Sequence, residues 1–151
     1  VIGYLAGGII RGLAVATVVT FIALFFTQIN IKHPLMTLFV IIMTAGVFSL
    51  AGLINAIFAK KFDDIAVIPS FVLAPLTYLG GVFYTVSLLP EFWQTLSRFN
   101  PILYMINSMR YSVIGISDVS IQNALMMIVV FFILLFATAV ILLKKGIGIR
   151  Q

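Results

Sequence analysis

Between two long apolar blocks the chain carries the stretch Phe99-Asn100-Pro101-Ile102-Leu103-Tyr104-Met105-Ile106-Asn107-Ser108-Met109-Arg110. Asn100 is a favoured N-cap residue, and Pro101 suits the first helical position because its missing N–H would have no intrahelical partner there. At about 100° per residue, one helix face is apolar and the opposite face carries hydroxyl and amide groups. The apolar face consists of Ile102, Met105, Ile106, Met109, Val113 and Ile116, and the polar face of Tyr104, Asn107, Ser108, Tyr111, Ser112 and Gly115. We therefore expect a short amphipathic helix where lipid or protein meets a wet space.

The composition predicts that the solvent of this chain is a lipid bilayer. Of its 151 residues, 63% are hydrophobic and 9% are charged, and the mean hydropathy is +1.25. A soluble single domain of this length cannot bury so much apolar surface in one core, so we predict an integral membrane protein. The net charge of +5 does not indicate a nucleic-acid partner, because the basic residues flank apolar blocks as they do at membrane borders. Cysteine is absent, which excludes disulfides and cysteine-ligated metal sites.

Four apolar blocks are long enough to cross a bilayer, since about 20 helical residues cover its hydrocarbon core. These predicted spans are residues 13–31, 34–58, 65–89 and 121–143. We therefore predict an all-α, polytopic membrane helix bundle that occupies the whole chain, residues 1–151. Because the chain starts without Met, we expect it to be the C-terminal part of a longer protein.

The basic residues predict which side of the membrane each loop faces. One set of membrane flanks carries Arg11, Lys60, Lys61, Lys144, Lys145 and Arg150, and the opposite set carries Lys32, Arg98 and Arg110. Loops rich in Lys and Arg stay in the cytoplasm, so both chain ends and the loop 60–64 are predicted to be cytoplasmic. Asp63 and Asp64 then lie at the start of the third span, where negative charge stabilises the helix dipole.

The third predicted span differs from a simple anchor. Pro75 removes one backbone hydrogen bond and Gly80-Gly81 loosens the helix further, so we predict a broken helix at membrane depth. Such a break is tolerated where protein or a water-filled cavity satisfies the freed backbone groups. Small and hydroxyl-bearing residues form a stripe along this span: Ser70, Ala74, Thr77, Gly81 and Thr85. The stripe fits close helix packing, whereas the kink together with Tyr78 and Tyr84 favours a cavity wall.

The second predicted span has a face of small residues. This face consists of Ala45, Ser49, Gly52 and Ala56. Small residues let two membrane helices approach closely, so the face predicts helix packing. Asn55 in the same span predicts a hydrogen bond to another helix.

The segment 90–117 lies between the third and fourth predicted spans. It is too short for a domain and too apolar for a solvated loop. We predict two short re-entrant outer helices there, with Trp93 at the headgroup level. A helical hairpin that lies flat on the membrane interface is the alternative.

The sequence holds no pattern that predicts catalysis by this chain. The phosphate-binding pattern G-x-x-x-x-G-K-[ST] is absent, so ATP is not expected to bind here. His33 is the only histidine and lies at a span end, where an interfacial position is favoured over metal ligation. The predicted spans hold no Asp or Glu in their interiors, which argues against a proton- or sodium-coupled carrier. We therefore expect no catalytic residue, metal site or bound cofactor.

Four motifs resemble the type-two ABC exporter permease family, whose members export drugs, polysaccharides and lipids. The stretch 99–110 resembles the family signature F-N-P-[IL]-x-Y-x-[IV], and a second motif resembles the family's broken helix: Pro75-Leu76-Thr77-Tyr78-Leu79-Gly80-Gly81-Val82-Phe83-Tyr84. Two more segments extend the similarity in the same order and spacing: Lys61-Phe62-Asp63-Asp64-Ile65 and Phe48-Ser49-Leu50-Ala51-Gly52-Leu53. The resemblance covers nearly the whole chain.

This resemblance implies the permease subunit of an ATP-driven exporter for an amphipathic or hydrophobic substrate, located in the bacterial inner membrane. It also implies that the full protein has six spans. The implied partners are a second copy of the permease, the lipid bilayer and a separate ABC ATPase subunit, which binds ATP and Mg. The residues implied at the substrate path or outer gate are Thr77, Tyr78, Tyr84, Tyr104, Asn107 and Tyr111. Those implied in coupling to the ATPase lie in a cytoplasmic segment 1–12 and in the loop 60–64: Tyr4, Arg11, Lys60, Lys61, Asp63 and Asp64.

Other functions stay open at this point. The main alternative is a channel or a secondary carrier that works without an ATPase. A membrane-bound enzyme is less supported, because the chain has no recognisable nucleophile or metal set. A scaffold or membrane anchor is the simplest competitor.

Overall fold

The computed structural model describes residues 1–28, 30–59 and 61–146, and within these ranges it is helical without strands, which confirms the predicted all-α class. The helices in chain order are α1 (Ile2–Phe26), α2 (Pro34–Phe58), α3 (Phe62–Ile68), α4 (Ala74–Leu79), α5 (Glu91–Arg98), α6 (Pro101–Ile114) and α7 (Ile121–Lys144). A π-helical turn, Pro69–Leu73, joins α3 to α4, and a 3₁₀ turn, Val86–Leu88, precedes α5.

Three helices among the described residues, α1, α2 and α7, are each long and apolar enough to cross a membrane. The block 65–89 contains no helix as long as these three, because α4 ends at Leu79. The predicted break itself is confirmed. Pro75 lacks an N–H and crowds the preceding turn, which is widened into the π-helical turn, and Gly81 has a φ of +78° with which no helix continues.

Helix α1 runs without interruption from Ile2 to Phe26, so it continues across the predicted boundary between the segment 1–12 and the span 13–31 and ends before residue 31. Gly8 and Gly12 are tolerated inside the helix because they allow close packing on α2. A Cβ atom at Gly12 would lie 2.5 Å from the Cβ of Ala45, and one at Gly8 would collide with Ser49. This confirms that the small face of α2 is a packing face.

The core of the bundle lies where α2, α6 and α7 meet. Val47, Met105 and Ile128, one residue from each helix, form a buried cluster. A Cβ atom at Gly46 would lie 2.6 Å from the Phe132 ring, so glycine lets α7 approach α2. Because lipid tails are as apolar as these side chains, close packing and hydrogen bonding stabilise such contacts rather than exclusion of water.

Backbone contacts define two ends of the bundle. Helices α1 and α2 are antiparallel, and the loop between them binds the end of α6, where the His33 N–H donates to the Ser112 carbonyl at 2.9 Å. We call this the His33 end; α2 and α7 begin there and α6 ends there. The opposite end, which we call the Tyr4 end, contains the beginning of α1, the end of α2 and the end of α7.

The two short helices predicted in 90–117 are confirmed as α5 and α6. Met105 in α6 packs beside Val47, near the middle of α2, whereas Ser112 contacts the His33 end. The interpretation that the polar face of α6 meets a wet space is wrong for its central residues. Asn107, Ser108 and Ser112 are fully buried. Helices α2 and α7 cover part of the polar face of α6 as well as its narrow apolar stripe.

Candidate functional site

Asn100 joins the end of the broken helix to the start of α6. Its Oδ1 accepts a hydrogen bond from the Ile102 N–H at 3.0 Å, which confirms the predicted N-cap. Its Nδ2 donates to the Leu76 carbonyl at 2.6 Å. Leu76 lies in the last turn of α4, where carbonyls have no intrahelical donor. One buried side chain therefore caps two helices that are far apart in sequence.

Arg110 makes a second connection between the same elements. One guanidinium nitrogen donates to the Gly81 carbonyl at 2.5 Å, just beyond α4. Another donates to the Asp118 carboxylate at 3.0 Å, in the loop before α7. Helix α6 is therefore attached to the α4 end at two points, one at each end of its length.

Asn107 fixes the loop between α6 and α7. Its Nδ2 donates to the Leu103 carbonyl at 2.9 Å, and its Oδ1 accepts from the Asp118 N–H at 2.8 Å and from the Ser117 hydroxyl at 3.4 Å. The side chain is fully buried. The sequence suggested a path-lining role for Asn107, but in this structure its amide is engaged inside the protein and has no open surface.

The backbone groups released by the prolines also find partners. Pro69 has no N–H to bind the Ile65 carbonyl four residues earlier, and the Asn55 Nδ2 donates to that carbonyl at 2.9 Å instead. The predicted hydrogen bond from Asn55 to another helix is therefore confirmed. In α4, the Thr77 hydroxyl donates to the Leu73 carbonyl at 2.7 Å.

A cavity of about 430 Å³ lies between α1, α2, α4 and α6. Its wall is mainly apolar and includes Phe48, Ile102, Met105, Met109, Thr44 and Thr77. The apolar face predicted for α6 therefore lines this cavity. The Thr44 hydroxyl is buried without a hydrogen-bond partner among the described residues. The space can take an apolar group and offers it one unused hydroxyl.

The four predicted tyrosines are spread over three places. Tyr84 donates its hydroxyl to the Tyr78 carbonyl at 2.7 Å beyond α4, and Tyr78 itself is 61% exposed. Tyr104 donates to the Arg98 carbonyl at 2.7 Å, which caps the end of α5. Tyr111 stacks on His33, with ring centroids 5.4 Å apart. Thr77 lines the apolar cavity, so the six predicted path residues do not form one pocket.

Those residues predicted for coupling that the structure describes lie in the Tyr4 half of the bundle. Tyr4 and Arg11 are exposed and line a groove of about 620 Å³ beside α2. Arg11 precedes Gly12, which packs on Ala45 near the middle of α2, so Arg11 lies along α1 and not at its end. From Arg11 the helix continues toward the Tyr4 end for about two and a half turns.

The second predicted coupling segment starts α3. Asp63 and Asp64 lie in its first turn, as expected for residues that stabilise a helix dipole. The Lys61 N–H donates to the Asp64 carboxylate at 2.9 Å. Lys60 lies outside the described residues. Asp63 and Lys61 are exposed, so this end of the bundle presents charge of both signs.

Sequence reasoning missed the roles of Asn100 and Arg110 in joining the broken helix to α6. The pair Asn100-Pro101 signals a helix start, and nothing local signals that the amide reaches a carbonyl 24 residues earlier.

Among the described residues, no three His, Asp or Glu side chains lie together as metal ligands would. The contacts of Asn100 and Arg110 hold the helical hairpin formed by α5 and α6 beside the apolar cavity.

Comparison with known proteins places this geometry in a family. Residues 1–114 match the model of the ABC-2 type transporter family. The chain is also 47% identical, over 149 residues, to the inner membrane transport permease YadH of Escherichia coli K12, Escherichia coli O157:H7 and Shigella flexneri. These matches cover 99% of this chain, which spans 58% of the length of each relative. No solved structure matches the chain significantly.

Proposed function

Because this chain belongs to the ABC-2 type transporter family, we propose that it is the membrane permease part of an ATP-driven exporter. Like the other members of this family and the related transport permeases, the chain is a component of a membrane transporter. In this proposal a separate ABC ATPase subunit binds ATP and Mg, and the permease supplies the path. The substrate is an amphipathic or hydrophobic molecule.

One observation carries this proposal: α4 and α6 are joined over an apolar cavity by Asn100 and Arg110. Breaking the Asn100 hydrogen bond would leave a buried amide without a partner, and breaking the Arg110 hydrogen bond would do the same to a charged group. The α4 end and the hairpin are therefore expected to move as one body. The upstream π-helical turn, Pro69–Leu73, is a suitable place for bending because its hydrogen bonding is irregular. Such a body could cover the cavity in one state and uncover it in another.

The proposed path residues divide between the two sides of this body. Thr77 lines the apolar cavity, whereas Tyr78 lies in the last turn of α4 and Tyr84 donates to its carbonyl. Tyr104 and Tyr111 fix the start and the end of the hairpin through their contacts with Arg98 and His33. We assign Asn107 to the support of this gate rather than to substrate contact.

The proposed coupling surface lies at the Tyr4 end. It comprises Tyr4, Lys61, Asp63 and Asp64 at this end and Arg11 farther along α1. Lys60 completes the proposed set and lies outside the described residues. Exposed charges of both signs in α3 suit a partner protein with complementary charges. In this proposal the Tyr4 end and both chain ends face the cytoplasm, and the membrane is the bacterial inner membrane.

We further propose that α3, the π-helical turn and α4 together form a fourth crossing. They comprise 18 consecutive helical residues, Phe62 to Leu79, which rise about 27 Å. The full protein would then have six spans and act as a homodimer, in agreement with the greater length of its relatives. Much of α1 and α3 is exposed and apolar, as surfaces that contact lipid or further helices are.

Co-purification tests the exporter proposal. The full-length protein, solubilised in a mild detergent, should bring down a nucleotide-binding subunit that hydrolyses ATP. In proteoliposomes that hold both subunits, substrate movement should require ATP. Movement without any ATPase would overturn the proposal in favour of a channel or secondary carrier.

A further inference from the structure

Arg98 is an exposed charged residue at the turn between α5 and α6. It ends α5, and the turn after it starts α6, whose other end lies at the His33 end. From Asn100 to Ser112 a helix rises about 18 Å, so the Arg98 backbone lies well below that end. The packing of Met105 against Val47, in the middle of α2, agrees with this depth.

Two neighbouring cavities open around the Arg98 side chain. They measure about 490 and 300 Å³, and Arg98, Asp118 and Val119 line both. The larger cavity adds Tyr104, Asn123, Met126 and Met127 from α6 and α7, and the smaller one adds Ser87 and Gln94. Polar groups therefore surround Arg98, and methionines of α7 border the larger cavity. Both cavities lie on the α7 side of α6, away from the apolar cavity beside α2.

The charges around these cavities do not cancel. Arg98 takes part in none of the ion pairs of the described residues, whereas Asp118 is paired with Arg110 at 3.0 Å. The two arginines and the one aspartate leave one unit of positive charge facing the cavities. An arginine at membrane depth is unfavourable unless a partner or water compensates it, so such residues commonly mark binding sites.

We propose that Arg98 binds the anionic headgroup, a phosphate or a carboxylate, of an amphiphile from the surrounding leaflet. The planar guanidinium can donate two parallel hydrogen bonds to either group. Asn123 and Gln94 line the same spaces and can donate further hydrogen bonds. The apolar tail would run along Met126, whose side chain is 60% exposed on α7. This site does not depend on the proposed exporter function, because a bound membrane lipid and an exported amphiphile share this chemistry.

Site-specific photo-crosslinking tests this proposal in the full-length protein. A benzophenone amino acid replaces Met126, in nanodiscs of phosphatidylcholine with a minor share of phosphatidylglycerol, and the captured lipid is weighed by mass spectrometry. The matched control places the same group at Ile133, which is exposed on the same face of α7 two turns away. We expect about tenfold enrichment of phosphatidylglycerol over its mole fraction at 126, and none at 133.

The charge of Arg98 should control this enrichment. Arg98→Gln should abolish it, Arg98→Lys should keep most of it, and Lys32→Gln, which removes a cation that lines neither cavity, should leave it unchanged. If Arg98→Gln fails to fold, Asn123→Asp adds a negative charge to the larger cavity and should reduce the enrichment as well. Equal enrichment at 126 and 133, or enrichment that survives Arg98→Gln, overturns the proposal. Capture of both lipids in proportion to their mole fractions, together with binding of inorganic phosphate that Arg98→Gln abolishes, overturns the amphiphile as the occupant in favour of a free anion.

Discussion

The double role of Asn100 makes a prediction that separates its two hydrogen bonds. Asn100→Ser keeps an oxygen that can cap the Ile102 N–H, but its short side chain cannot also reach the Leu76 carbonyl. Asn100→Ala removes both hydrogen bonds. The difference between the two variants is therefore the N-cap, and the loss common to both is the contact between α4 and α6.

The expected magnitudes follow from the membrane setting. Hydrogen bonds between membrane helices contribute on average about 0.6 and at most about 1.7 kcal/mol, because the unfolded chain in the bilayer also finds partners. The 2.6 Å distance and the burial of Asn100 favour the upper part of this range, so we expect Asn100→Ser to lower the free energy of unfolding by about 1.5 kcal/mol. Losing the N-cap as well should bring Asn100→Ala to about 2.5 kcal/mol.

Unfolding titrations with a denaturing detergent measure these differences in mixed micelles. Ser120→Ala is the matched control, since Ser120 precedes α7 as N-cap but its side chain makes no capping hydrogen bond. This variant should stay within about 0.5 kcal/mol of the wild type. If Asn100→Ser unfolds like the wild type while Asn100→Ala loses only about 1 kcal/mol, the link to Leu76 contributes nothing and the joined body is refuted.

Three further variants test other parts of the structure. Gly12→Ala should destabilise the α1–α2 contact by about 1–3 kcal/mol in the same titration. Gly7→Ala is the control, because a Cβ atom there meets no atom within 4 Å. Equal losses in the two variants would contradict the close packing. Arg110→Gln should speed amide hydrogen exchange over residues 80–89, because their tether to α6 is lost; unchanged exchange would contradict it. Replacing Tyr104 and Tyr111 by Ala should reduce ATP-dependent export with expression and ATPase docking intact, and unchanged export would reduce both to packing residues.

Local features of the sequence predicted much of the fold correctly. The long apolar blocks predicted α2 and α7 to within one residue, because helices of this length and composition have no alternative in lipid. The cap at Asn100 and the break near Pro75 were predictable because proline and N-cap chemistry act within a turn or two of the residue. Asn55 was predictable as a donor to another helix, since its amide lies among apolar neighbours.

Several features depend on contacts between distant residues and could not be predicted in this way. The continuity of α1 through its glycines was missed, because glycine signals flexibility unless a partner such as Ala45 is known to lie against it. The polar face of α6 was assigned to water. Amphipathicity shows that the two faces of a helix have different surroundings, but it does not show whether the polar face contacts water or other parts of the protein. The depth of Arg98 follows from where α6 packs, and its position in the sequence resembles an ordinary flank.

The sequence by itself determined that this is a helical membrane protein, where its longest helices lie, and which residue breaks the third apolar block. These properties depend on composition and on interactions within a few turns of helix. Only the tertiary structure decided that Asn100 and Arg110 attach the broken helix to α6, and that Asn107 supports the hairpin from inside. It also placed Arg98 beside two cavities. Such pairings depend on how helices that are distant in sequence pack together, which no local pattern contains.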